Sequence, residues 1–256
     1  MDLRVSLLQL DLIWEDAVAN KSKIESLLED TPESDLIILP EMFTTGFSMN
    51  AVLLSEPMDG PTIDWMRNLS KEKNAAITGS LIISEEGKYY NRLLWVEPDG
   101  SVQTYDKRHL FSMAREHETY TAGSERLIVD WRGWRICPLV CYDLRFPVYS
   151  RNTSAYDLLI YVANWPAIRS YAWRTLLHAR AIENQAYSIG VNRVGQDGNG
   201  YPYSGDSGIY APGPRSCVLS LSHQESVQTL SLEREYLTDI RQKMPFLADR
   251  DHFDLR

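Results

Sequence analysis

The sequence predicts an α/β fold in which mixed sheets are covered by helices, an α/β sandwich. Three observations predict it. Short aliphatic and β-branched runs recur along the 256 residues, many of them joined by hairpin-like turns. Amphipathic helical segments are interspersed among these runs rather than gathered at one end. Some strand-to-strand connections pass through those helical segments, as parallel crossovers must. No composition break, repeat or low-complexity stretch divides the chain, so a single domain over residues 1–256 is expected.

Residues 4–10 read as a strand. Residues 16–29 read as a helix, with Ala17, Ile24, Leu27 and Leu28 apolar. The continuous apolar run 35–39 is a buried strand, ended by Pro40. A helix is expected at 62–73, with Pro61 at its start, where a missing N–H costs nothing. Strands follow at 75–83, 89–97 and 102–105, separated by Glu85-Glu86-Gly87 and Pro98-Asp99-Gly100 turns. Residues 127–131 and 134–140 form a hairpin around Arg132-Gly133, and 158–163 is another buried strand. Residues 169–185 place Trp173, Leu176, Leu177, Arg180, Ala181 and Asn184 on related helical faces. Strands at 186–194, 216–221 and 227–231 precede a mixed-charge helix at 232–243, stopped by Pro245.

The chain is 44% hydrophobic and 24% charged, an ordinary balance for a globular protein. Its net charge is −9 and no Lys/Arg run stands out, so no nucleic-acid partner is expected. The apolar runs are too short to span a bilayer. Met1-Asp2-Leu3-Arg4 runs directly into a strand pattern, without the features of a signal peptide. Three cysteines, Cys137, Cys141 and Cys217, are too few and odd in number for a disulfide scaffold. A cytoplasmic protein without a membrane partner is the expectation.

Cys141 lies just past the apolar strand and before Tyr142-Asp143-Leu144-Arg145, a strand-to-helix turn. There the next backbone N–H can face a developing oxyanion. A buried inert thiol is the commoner fate of a free cysteine, and Cys137 and Cys217 are assigned it because each sits inside an apolar strand. A nucleophilic cysteine needs a base or a cation beside it. The five histidines, among them His109, His117 and His178, offer no evident partner. Glu41 follows the strand end at Pro40 in apolar surroundings, which suit acid–base work. A solvated loop glutamate is the competing reading. Lys107 sits in a basic turn that could be plainly solvated, or could hold an ammonium beside an oxyanion.

Together, Leu39-Pro40-Glu41-Met42-Phe43, Tyr105-Asp106-Lys107-Arg108-His109-Leu110-Phe111 and Cys141-Tyr142-Asp143-Leu144-Arg145-Phe146-Pro147 resemble the nitrilase superfamily of carbon–nitrogen hydrolases. The likeness covers nearly the whole chain and includes Ala163-Asn164-Trp165-Pro166. It implies a four-layer α-β-β-α sandwich. It also implies Glu41 as general base, Lys107 as oxyanion stabiliser and Cys141 as nucleophile. Glu116, with Glu118 as its rival, is the implied second glutamate that orients Lys107 or substrate. No metal or organic cofactor is implied. A homodimer is implied, through residues 169–185 and 146–153.

Within that family the likeness is greatest to bacterial ω-amidases, which implies 2-oxoglutaramate and 2-oxosuccinamate as substrates. Hydrolysis of N-carbamoyl amino acids or other carboxylated amides is the alternative, as is an inactive binding module on the same fold. Arg145 is the expected cation for a substrate carboxylate, since a guanidinium binds one bidentately. A structural ion pair with Asp143 or a helix carboxylate is its competing role. Tyr142, Phe43 and Trp165 are expected to meet the substrate, and Trp173 is as well explained by core. Gly205-Asp206-Ser207-Gly208 resembles a serine-protease nucleophile segment but lacks a matching histidine segment, so an ordinary turn is expected there.

Overall fold

The computed structural model describes residues 1–213, 217–221 and 223–254. Strands β1 (Leu3–Gln9), β2 (Leu36–Ile38), β3 (Ala76–Glu85), β4 (Lys88–Val96) and β5 (Val102–Asp106) build a first sheet. A second sheet holds β6 (Val129–Trp131), β7 (Trp134–Val140), β8 (Leu158–Ala163) and β9 (Tyr187–Asn192). A ribbon, β10 (Val194–Gln196) with β11 (Pro202–Ser204), comes next. Then β12 (Gly208–Tyr210) and β13 (Cys217–Ser220) complete the second sheet, and β14 (Ser226–Leu232) returns to the first. The strand orders are β14-β1-β2-β3-β4-β5 and β13-β12-β9-β8-β7-β6.

The two orders follow one plan. Three parallel strands, β1-β2-β3 or β7-β8-β9, sit at the centre. One antiparallel strand flanks one side and two flank the other. No repeat in the sequence announces this. Parallel neighbours need long crossovers, and helices supply most of them. These are α1 (Ala17–Glu29), α2 (Ala51–Leu54), α3 (Pro61–Lys73), α4 (Pro147–Ser150) and α5 (Ser170–Asn184). A last helix, α6 (Arg234–Lys243), follows β14.

Alternation along the strands creates the layers. In β1, Leu3, Val5 and Leu7 join Leu36, Ile38, Leu93 and Trp95 in the core between the sheets. Leu8, Ile37, Ile77, Leu94 and Val96 point the other way, onto Ile24 and Leu28 of α1 and Ile63 and Met66 of α3. On the second sheet's far side, Trp173, Leu177 and Ala181 of α5 are wholly buried. Each such aliphatic side chain contributes roughly 1.5–3 kcal/mol. The result is the expected α-β-β-α sandwich.

Several boundaries differ from the sequence expectation. The strand expected at 186–194 breaks at Arg193, whose wholly buried guanidinium turns inward to donate to the carbonyls of Leu12 at 2.9 Å and Gln196 at 3.1 Å. The helix expected from 232 starts at Arg234, because Leu232 pairs with Leu3 in the sheet. The strand expected at 127–131 is only Val129–Trp131. Residue 216, at the start of the strand expected at 216–221, lies outside the described residues. Among the described residues no helix is long and apolar enough to cross a membrane.

Candidate active site

Glu41, Lys107 and Cys141 all stand just past strand ends, on the carboxyl edges of the parallel strands, where open α/β sheets characteristically place their sites. Leu39 N–H still bonds to Thr78 across the ladder. Pro40 then ends pairing, and a tight turn at 41–45 carries Glu41 inward. Lys107 follows β5 directly, with its N–H donating to Asn91 O at 3.0 Å. Cys141 follows β7 directly and opens a 3-10 turn over Cys141–Arg145. Its φ is +44°, the left-handed region, a strained conformation that lifts the side chain off the strand line.

The three side chains converge with a fourth. Lys107 Nζ lies 2.8 Å from Glu41 Oε1 and 3.0 Å from each oxygen of Glu116. Asn91 Nδ2 donates to both carboxylates, at 2.8 Å to Glu41 and 3.2 Å to Glu116. The Asn164 N–H donates to the other Glu41 oxygen at 2.8 Å, and the Phe111 N–H caps Glu116 at 2.5 Å. Glu41 and Glu116 are wholly buried and Lys107 is 1% exposed. Cys141 is 9% exposed, with Sγ 4.0 Å from Asn164 O. Glu118 instead lies on the surface, paired with Arg115. Two surface cavities of about 260 and 320 Å³, beside Arg250 and between Arg4 and Arg132, lie away from this cluster.

The charges are two carboxylates against one ammonium. Burial opposes the charge on Lys107, but Glu116 and Glu41 outweigh it, so its pKa is raised and it stays cationic. Burial pushes Glu116 up, partly countered by Lys107. Burial, then the charge of Glu41, hold the Cys141 thiol well above its usual value, and Lys107 offsets only part of this. The resting sulfur is therefore protonated, with a carboxylate at hand to take the proton. Cys137, sealed in β7, is pushed up to about 12 by burial and is inert. A hidden carboxylate, a fixed ammonium and a protonated thiol are equipped to form and break an acyl bond.

Residues 4–242 match the sequence family described as carbon-nitrogen hydrolase. The chain belongs to that family. It is 50% identical over 253 residues to the ω-amidase YafV of Escherichia coli K12, covering 99% of this chain and 98% of that one. It is 29% identical over 255 residues to the 2-oxoglutaramate amidase of Bacillus subtilis 168, covering 97% and 98%. A solved structure of XC1258 from Xanthomonas campestris, a CN-hydrolase superfamily protein with an arsenic adduct in its active site, superposes with a TM-score of 0.97. That pair is 47% identical, with full coverage of both chains. This carbon–nitrogen hydrolase is accordingly an amidase, a hydrolase of carbon–nitrogen bonds in amides.

Other residues of the hydrolase fall differently. Arg145 is exposed and its guanidinium sits 4.9 Å over the Trp165 ring, without an ion pair among the described residues. Asp143 is not its partner. Trp165 is 4% exposed and tilts against the wholly buried Trp173 at 5.3 Å, so Trp173 is core. Tyr142 meets Phe111 and Phe146 edge-on, at 5.0 and 5.1 Å. Phe43 is wholly buried on the helix side of the first sheet, 6.0 Å from the Trp65 ring. Phe47 is the ring beside the site, 5.2 Å from Lys107 Nζ. Cys217, expected within an apolar strand, is exposed on the edge strand β13. Ser207 is structural, its hydroxyl engaged with the Asn192 backbone.

Sequence reasoning missed Asn91, Asn164 and the role of His109. His109 does have a partner: its Nδ1 is 2.7 Å from Asp143, and its ring stacks on Phe146 at 3.7 Å. Asp143, wholly buried, also accepts from the His109 N–H at 3.1 Å, Tyr105 Oη at 2.7 Å and the Val140 N–H at 3.0 Å. One carboxylate thus ties the Tyr105 hydroxyl and the His109 backbone, on either side of Lys107, to the turn that carries Cys141.

Proposed function

We propose that this amidase is an ω-amidase. It hydrolyses the terminal amide of 2-oxoglutaramate or 2-oxosuccinamate to the 2-oxo dicarboxylate and ammonia, through a thioester on Cys141. The observation that carries the reading is the buried Glu41–Lys107–Glu116 cluster beside Cys141, whose thiol pKa is raised by burial and then by Glu41. Glu41 takes the thiol proton as sulfur attacks the amide carbon. Lys107 and the Tyr142 N–H receive the oxyanion, one such donor being worth about 3 kcal/mol. The tetrahedral adduct collapses, the C–N bond breaks, and Glu41 returns the proton to nitrogen so that ammonia leaves. Glu41 then deprotonates water, which attacks the thioester carbon. Collapse breaks the C–S bond, and the sulfur regains its proton as the acid departs. Glu116, with Glu41, keeps Lys107 cationic, and Asn91 holds both carboxylates by donating to each.

The substrate assignment rests on Arg145, four residues after the nucleophile and without an ion pair among the described residues, and on the resemblance to enzymes named for this activity. Three free cysteines, one of them exposed, fit a reducing compartment, the cytoplasm.

Ammonia release across 2-oxoglutaramate, glutamine, N-carbamoyl amino acids and neutral amides tests the substrate. Trapping an acyl adduct on Cys141 by mass spectrometry tests the thioester. Cys141→Ala is expected to lose the adduct and at least about a thousand-fold in rate. A preference for any other amide class ends the substrate assignment, and turnover without Cys141 ends the mechanism.

A further inference from the structure

A second arginine without an ion pair among the described residues is tied to the same tryptophan, Trp165. Arg169 closes the 3-10 turn Ala167–Arg169 that leads from Trp165 into α5. Its backbone carbonyl accepts from the Trp165 indole N–H at 2.9 Å, which fixes it to the ring beneath Arg145. Its guanidinium lies 5.2 Å over the Phe111 ring. Phe111 in turn meets Tyr142, the residue after the nucleophile, edge-on at 5.0 Å. The Phe111 N–H also holds Glu116. Arg145 thus sits on the ring that holds the Arg169 backbone, and Arg169 sits on the ring that meets Tyr142, the neighbour of Cys141. Among the described residues neither guanidinium has a carboxylate partner, although elsewhere arginines such as Arg92, Arg180, Arg234 and Arg241 are paired.

Stacked arginines keep their N–H edges free, and the ring below narrows the directions in which those edges point. One guanidinium suffices for a carboxylate. Two, converging on one end of a small substrate, suit a carboxylate with a further oxygen acceptor on the adjacent carbon. We propose that Arg169 is the residue that reads the 2-oxo group. Arg145 takes the carboxylate, while Arg169 donates to the keto oxygen and rejects a 2-ammonium group by like charge. The pocket so built separates a 2-oxo acid amide from the corresponding 2-amino acid amide, which has the same length and the same terminal amide. This inference rests on the ω-amidase reading.

The test uses three four-carbon amides: 2-oxosuccinamate, succinamate, which lacks a 2-substituent, and asparagine, which carries the 2-ammonium. Arg169→Gln is expected to lower kcat/KM for 2-oxosuccinamate by about 10- to 100-fold, the range for losing a hydrogen bond to a charged group. The loss on succinamate is expected to be at least about ten-fold smaller, and asparagine should gain on 2-oxosuccinamate in relative terms. Arg169→Lys, which keeps charge but not the planar fork, should fall between. Arg145→Gln should depress 2-oxosuccinamate and succinamate in parallel. Iodoacetamide labelling of Cys141 in each variant checks that the site is intact. Equal losses on 2-oxosuccinamate and succinamate, or no loss on either, overturn the role of Arg169 while leaving the ω-amidase reading in place. A wild-type chain inert to 2-oxosuccinamate and 2-oxoglutaramate overturns that reading, and this inference with it.

Discussion

At the scale of single residues, the balance around Cys141 decides how the sulfur behaves. Burial and the negative charge of Glu41 keep the proton on, and Lys107, shared between two carboxylates, offsets only part of their effect. Glu41→Gln removes a charge that raises the thiol pKa, so the sign is downward. Alkylation of Cys141 by iodoacetamide, followed against pH, should reach its midpoint at lower pH in the variant. Hydrolysis should fall by about 10²- to 10⁴-fold, because the proton acceptor is gone. A midpoint that stays put or rises would show that Glu41 does not govern the sulfur. Glu41, Lys107 and Cys141 were legible because each lies in a segment whose neighbours also match. Asn91 was not: one amide inside a strand has no pattern, and its value appears only when β4 sets it between two carboxylates. Phe43 and Phe47 show the same limit. Four residues apart around a tight turn, one points to the helix layer and the other to the lysine, and composition cannot tell which.

Between elements, Asp143 is the tie that sets the distance from β5 to the turn after β7. Asp143→Ala leaves several buried donors without an acceptor, each costing about 1–3 kcal/mol. Loosening the lysine relative to the sulfur should cost about 10- to 100-fold in kcat, with KM held within about three-fold, when measured on protein shown to be folded by circular dichroism. An unchanged kcat beside a lowered unfolding midpoint would reduce Asp143 to a purely structural role. Long strands and helices were readable from periodicity, and α3 begins at the proline that forecast it. The short strands β11 and β12 were not, since three residues carry no period. Nor was the break at Arg193, where a buried charge overrides a run of strand-forming residues.

For the molecule as a whole, the matching strand plans of the two sheets bring both to bear on one site, with Glu41 and Lys107 from the first and Cys141 and Asn164 from the second. The layered class was legible from alternating strands and helices, whereas the doubled plan was not, because strand order leaves no mark in local sequence. The outer face near α4 and α5 exposes Val148, Ile168, Tyr171 and Ile182. We propose that this face pairs two copies of the chain, since apolar side chains grouped on a surface mark contact sites. Sedimentation equilibrium should give twice the chain mass, and Tyr171→Glu with Ile182→Glu should halve it. A wild-type monomer at micromolar concentration would end the idea.

The pairing of β14 with β1, running from Leu3↔Leu232 to Gln9↔Ser226, has a consequence for synthesis. Strand β1 leaves the ribosome long before its neighbour β14 and keeps one edge open until residues 226–232 have followed it. Vectorial folding can complete the second sheet's centre before the first sheet is closed, and nascent chains cut short of that last strand expose a sticky margin for chaperones to shield.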